Sequence, residues 1–192
     1  TMEKALQPGL YIVATPIGNP RDITLRALDT LQKADVVICE EIREGSTLLK
    51  RLGIFGKELI SLNEHNEQEN IPELLTRIAR GQSLALVSDG GTPVFADPGY
   101  HLIARAAEME FKVIPLPGAS SLMTALSVLD FHLQRFYFAG FLPPKTEYRQ
   151  KELEKLKTIK IPIILMDTPY RLSRLLEEVK QVFGGKQRIT LA

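Results

Sequence analysis

The run SDGGTPVFADPG (88–99) carries two carboxylates, two hydroxyls and a glycine pair directly behind the apolar stretch SLALV. A loop that follows a buried strand is where an open parallel sheet places its ligands, and paired glycines let backbone approach closely. Gly91 and Thr92 are therefore expected at a binding site. Asp97, followed at once by Pro98, has the pattern of a helix N-cap with proline at the first helical position and is read as that. PGASS (117–121) stands ahead of another helical pattern, where free amides and the hydroxyls of Ser120 and Ser121 could receive a polar ligand edge. Ordinary capping explains one of the two serines. The loop TPIGNPRD (15–22) matches neither G-x-G-x-x-G nor G-x-x-x-x-G-K-[ST], so it is not a phosphate cradle, and Gly18 alone is equally explained by a tight turn.

CEEIRE (39–44) and SLNEHNE (61–67) also close apolar strand patterns, so Glu40, Glu41, Arg43, His65 and Asn66 are expected at the same sheet edge. Taken singly, each reads as a solvated loop residue; together they could line one cleft. The spacing offers no metal site, because His65, His101 and His132 are scattered and Cys39 is alone. No local nucleophile–base signature is present.

The elements that must hold these loops alternate in type. Apolar runs at Leu10–Ala14, 35–41, 58–62, 83–89 and 112–117 are separated by amphipathic patterns over Ile23–Ala34, 46–53, Ile71–Ala79 and 97–110. Asp22 is placed as the cap of the first. Strands apolar on both faces, alternating with helices, predict an α/β fold with a parallel sheet flanked by helices. PLPGAS (115–120) interrupts both patterns and is read as a hinge, giving an N-terminal α/β domain over 1–116 and a C-terminal one over 117–192. The second domain is expected to be mixed α/β: a helix over 120–128, the strand RFYFAGF (135–141), a charged helix from 146, the strand IPIILMD (161–167) and a helix from Pro169. QRITLA (187–192) reads as a strand barely begun, so that domain reads as truncated.

A formal net charge of +1 supplies no global field for nucleic acid, so any such affinity must be local. The local candidate is 145–160, with six Lys/Arg against three Glu; Lys145 and Arg149 are its expected RNA contacts. The lone cysteine fits a reducing cytoplasm, and neither a bilayer-length apolar run nor a leader pattern is seen.

Taken together, LYIVATPIGNPRDITLRAL, LVSDGGTPVFADPGYHLI, VIPLPGASSLMTAL and RFYFAGFLPPK resemble the tetrapyrrole-methylase superfamily. Within it they are most similar to the ribosomal RNA small-subunit methyltransferase I branch, in the same order from Leu10 onward. The resemblance implies a two-domain fold, a homodimer, S-adenosylmethionine held in the cleft between domains, and methylation of a cytidine 2′-hydroxyl in small-subunit (16S) ribosomal RNA. Carried over by motif, the cofactor contacts would be Gly18, Asp89, Gly91, Thr92, Phe95, Ala96, Ser120 and Ser121. Glu40 and His65 would serve as base or orienter, with Arg43 holding Glu40 or a phosphate. The chain departs from the branch at EEIREG (40–45), where E-D-T-R-H-T is common, at Asn63, where histidine is frequent, and at MDTPYRL (166–172), where Y-E-S-P-H-R-L is usual. A small acceptor such as a tetrapyrrole, or a non-catalytic cofactor-binding role, stands as the alternative.

Overall fold

The computed structural model describes residues 5–95 and 97–192. They fall into two compact units, divided after residue 124. In the first unit five strands, β1 (Gly9–Val13), β2 (Val36–Cys39), β3 (Glu58–Ser61), β4 (Ser83–Leu86) and β5 (Val113–Leu116), form one sheet in the order β3-β2-β4-β1-β5. Every neighbouring pair is parallel. The helices between them are α1 (Leu25–Lys33), α2 (Ile42–Arg51), α3 (Glu67–Ala79) and α4 (Tyr100–Glu108).

The period-2 geometry of the strands sorts their side chains into two cores. Leu10, Ile12, Val36, Ile38, Leu84 and Leu86 pack with Leu74 and Ile78 of α3 and Leu102 and Ala106 of α4. Tyr11, Val13, Val37, Cys39 and Ala85 pack with Ala27 and Leu31 of α1 and Leu49 of α2. Helices α1 and α2 therefore cover one face and α3 and α4 the other, as expected of a doubly covered parallel sheet. Each fully buried Leu, Ile or Val contributes roughly 1.5–3 kcal/mol, an upper figure because the unfolded chain is itself partly collapsed.

Helix α5 (Ser121–Ser127) runs across the division. The second unit pairs β6 (Tyr137–Phe141) with β7 (Ile163–Met166), again in parallel, with a register shift between Phe138 and Gly140. Helices α6 (Thr146–Leu156) and α7 (Pro169–Phe183) close a small core of Leu142, Leu153, Leu156, Leu175 and Val179.

Several element ends differ from the sequence reading. Asp22 does not cap α1: it lies in a 3-10 turn, Pro20–Asp22, and the Thr24 side chain accepts from the Ala27 amide at 3.0 Å instead. Asp97 does not cap α4, which starts three residues later behind Gly99. A Cβ at Gly99 would stand 2.8 Å from Leu86 Cδ2, so packing against β4 sets that start and overrides the Asp-Pro signal. Helix α2 begins at Ile42, inside the segment read as a loop. Its Gly45 lies so close to β2 that a Cβ would meet Cys39 Sγ at 2.5 Å, which is why a poor helix former is kept there. Residues 187–192 form no strand; Arg188 donates to Asp130 Oδ1 and Oδ2 at 2.7 and 2.9 Å and lies 5.2 Å from the Phe131 ring centre.

Candidate functional site at the carboxyl edge of the sheet

Strand β4 sits between β2 and β1, whose following helices cover one face, while the helix after β4 covers the other. The chain thus leaves the carboxyl edge in opposite directions beside β4, which is the condition for a ligand crevice. Three loops meet there. Thr15 and Gly91 form an antiparallel bridge, each amide donating to the other's carbonyl at 3.0 Å. The Thr92 hydroxyl donates to the Ala119 carbonyl at 3.0 Å. The Ser88 hydroxyl lies 3.1 Å from the Gly90 carbonyl, closing the turn.

The glycines serve this loop-on-loop packing. A Cβ at Gly91, whose φ is +84°, would stand 3.2 Å from Ile17 Cγ2 and 3.6 Å from the Ala119 carbonyl; at Gly118 it would meet Ala14 Cβ at 2.8 Å. Gly18, by contrast, has open space around it. Val94 adopts a φ of +78°, a genuine outlier for a β-branched residue, in the middle of the 88–99 loop. The Thr15 hydroxyl is buried and has no hydrogen-bond partner among the described residues. Of the serine pair, Ser120 Oγ accepts from the Met123 amide at 3.3 Å and so is spent on capping; Ser121 is exposed at the first position of α5. Phe95 is exposed, and Ala96 lies outside the described residues.

Carboxylates dominate the electrostatics. Burial pushes the Glu40 carboxyl above its ordinary range, and the charges of Asp89, Asp97, Glu41 and Glu64 add to it. Asp89 is raised by burial and by Glu44 and Glu41; Asp97 by burial and Asp89, with the Ser88 hydroxyl acting the other way. The Cys39 thiol beneath them is pushed up to about 11, first by burial and then by Asp89 and Glu41, so it is inert at neutral pH. None of the ion pairs among the described residues engages Glu40, Asp89 or Asp97. No group of three or more His, Cys, Asp or Glu there is placed to hold a metal ion.

The expected catalytic trio is dispersed. Glu40 is half-buried behind β2, whereas Arg43 is exposed on the first turn of α2 and makes no ion pair with it among the described residues. The His65 side chain is 86% exposed, with Nε2 3.6 Å from Glu64 Oε1. Asn66 builds the loop rather than lining it, its side chain donating to Ser61 Oγ and accepting from the Asn63 amide, both at 2.8 Å. In the second unit Lys145 is exposed, but Arg149, expected on the surface, is buried against Glu178 because α7 supplies a carboxylate where α6 turns inward. Sequence reasoning missed the Thr15 hydroxyl and took Asp97 for a cap. Glu178, 29 residues from Arg149, had no local signal at all.

The profile of the Tetrapyrrole (Corrin/Porphyrin) Methylases matches residues 9–192. The chain belongs to that family. A protein named ribosomal RNA small subunit methyltransferase I from Mesorhizobium japonicum is 43% identical over 188 residues, covering 98% of this chain and 64% of the relative. Proteins of the same name from Neisseria meningitidis serogroup B and Escherichia coli O157:H7 are 45% and 41% identical, covering 95% and 97% of this chain and 62% and 65% of theirs. The chain thus spans less than two thirds of the length of these relatives. Among solved structures, a conserved hypothetical protein from Aeropyrum pernix K1 superposes with a TM-score of 0.71 at 21% identity, over 92% of this chain and 67% of that one. That likeness concerns the fold.

Within this tetrapyrrole methylase chain, the carboxyl edge of β1, β4 and β5 gathers three glycine-bearing loops, the one after β4 carrying Asp89 and Asp97, and β2 adds Glu40. A ligand for it must tolerate unpaired negative charge and offer a partner to the Thr15 hydroxyl. A diphosphate fails the first condition. A sulfonium with an ammonium group meets it.

Proposed function

We propose that the chain binds S-adenosylmethionine at this carboxyl edge and directs methyl transfer to the 2′-hydroxyl of a cytidine in small-subunit (16S) ribosomal RNA. The observation that carries the reading is the cluster of unpaired carboxylates at the switch point, wrong for phosphate and suited to a cationic donor. The names of the full-length relatives support the acceptor. Asp89, Gly91 and Thr92, with Gly18, Phe95, Ala96, Ser120 and Ser121, would hold the cofactor, the buried Thr15 hydroxyl completing the set. The chain would comprise domains over 1–116 and 117–192 and work as a cytoplasmic homodimer on the small ribosomal subunit.

When bound, the cofactor supplies a methyl group already activated for displacement. The chain's own work is to align the acceptor, at reacting distances of roughly 3–3.5 Å, and to take a proton. A ribose hydroxyl is a poor nucleophile while protonated, so a base of raised pKa is wanted, and Glu40 fills that role. Its half-buried carboxyl is lifted above its ordinary range by burial and surrounding acids, and no ion pair among the described residues engages it. Exposed Arg43 receives a backbone phosphate, and His65 orients the ribose from the neighbouring loop. In the family's small-acceptor alternative the same base would act on a tetrapyrrole or other substrate, so methyl transfer to isolated small subunits separates the two.

The direct test is a calorimetric titration of S-adenosylhomocysteine into this chain, followed by the same titration into Ser121→Tyr. One-site saturation that is lost in the variant supports the reading. Equal affinity in both removes PGASS from the site.

A further inference from the structure

The acidic edge just described disfavours RNA phosphates apart from the one given to the exposed Arg43, so cations elsewhere must meet the rest of the RNA backbone. The exposed Lys145 of the FLPPK segment in the second unit is one. What holds that segment in place is a buried guanidinium. Arg149 is 4% exposed and its partner Glu178 5%. Arg149 Nε and Nη2 donate to Glu178 Oε2 and Oε1 at 2.5 and 2.8 Å, a bidentate fork. Its remaining nitrogen, Nη1, donates to the carbonyls of Pro144 at 2.7 Å and Pro143 at 3.2 Å.

The chemistry of a Pro-Pro pair makes this arrangement informative. Proline has no amide hydrogen and its ring fixes φ, so the pair's free backbone variables are its ψ angles and its only polar handles are carbonyls. A donor that holds both carbonyls therefore fixes the direction in which the chain emerges at Lys145. Arginine can grip a carboxylate and two carbonyls at once because its five donors are spread over a planar fork; a lysine ammonium cannot. Leu142, buried in the small core, anchors the other end. A buried ion pair is a weak source of net stability, since desolvation offsets the attraction. Its retention here fits a role in fixing one loop conformation.

We propose that Arg149 is a positioning residue: it does not touch RNA, but sets the Pro143–Lys145 turn so that Lys145 meets a backbone phosphate, with Glu178 locking the guanidinium. Arg174 adds a second exposed cation at the same place, its Nη2 donating to Thr146 Oγ1. The inference rests on the RNA reading given above.

The test is a double-mutant cycle on binding of the chain to isolated small ribosomal subunits. Arg149→Lys and Lys145→Ala should each weaken binding about fivefold, and the double variant should be no more than about twofold weaker than Lys145→Ala, because one residue acts through the other. Lys145→Ala should also lower the salt slope by about one. Arg149→Met with Glu178→Met fills the core without the ions and should reproduce the loss if folding is not the cause. Amide exchange over 145–149 should quicken in both Arg149 variants. Additive losses in the cycle, or unchanged exchange, would overturn the positioning role. Failure of the RNA reading looks different: the wild-type chain itself then shows no salt-dependent binding, and the inference falls with it.

Discussion

The two parallel sheets end in opposite electrostatic states. At the carboxyl edge of the five-stranded sheet, Glu40, Asp89 and Asp97 are raised by burial and by neighbouring acids, and no ion pair among the described residues engages them. At the carboxyl edge of β6–β7 every buried carboxylate is answered: Glu178 by Arg149 and Arg174, Asp167 by Arg171 at 2.7 Å. Charge left uncompensated costs stability, and it persists where the site has a use for it. The paired edge is a folded joint, and the unpaired edge is the one proposed to take a ligand. The same sheet geometry supports both, so the difference lies in which residues the helices return to the edge.

Removing the charge that the unpaired edge keeps should have the largest consequence. Glu40→Gln should lower methyl transfer by about 10²–10⁴-fold, the usual worth of a positioned general base. Binding of S-adenosylhomocysteine, measured alongside, should change little. A variant as active as wild type would make the acidic edge mere surface. On the paired edge the corresponding change acts on folding. Glu178→Ala strands a buried guanidinium and should cost about 3–5 kcal/mol in the second unit, read from denaturant unfolding followed there. Little or no loss would mean that water already solvates Arg149.

The contrast was only half legible in the sequence. The five strands and their order of helices are written in local pattern, since short apolar runs alternating with longer amphipathic ones suit the strands of a covered parallel sheet. The loops gathered at the carboxyl edge were legible for the same reason: they follow the strands. Legibility failed where a distant contact outvoted a local preference. Gly45 stays in a helix because Cys39 lies against it, and Asp97 gives up the cap because Gly99 must pass Leu86. Arg149 looked like one basic residue among six on a solvated helix, and only the fold brings Glu178 to it. Burial of a long charged side chain leaves no trace in its own segment, because its partner arrives from another element.

Acid titration should separate the two edges by sign. Arg149 holds the Glu178 carboxyl below its ordinary 4.5, so the pair's contribution is complete above that value and is lost as pH falls through the lower folded pKa. Glu40, Asp89 and Asp97 are raised in the fold. The penalty they impose is full above their folded pKa and is relieved as pH falls through it. Descending from neutral pH, the first unit should gain slightly in thermal stability before the second unit loses. Simultaneous loss in both would deny the contrast.

The smallest effects sharpen the comparison most. The acid limb of turnover should follow Glu40, and the surrounding acids act on it in a graded order, Asp97 ahead of Glu64. Asp97→Asn should therefore move the limb to lower pH, and Glu64→Gln should move it the same way by less. The Glu64 side chain is 84% exposed, so 0.5 M salt should erase most of its effect while leaving more of that of the half-buried Asp97. An acid limb that ignores both substitutions would assign it to some other group and leave Glu40 without its role. A limb that shifts equally in both, and equally with salt, would mean that the edge is open water and that burial, the first cause of the raised carboxyls, is absent in solution.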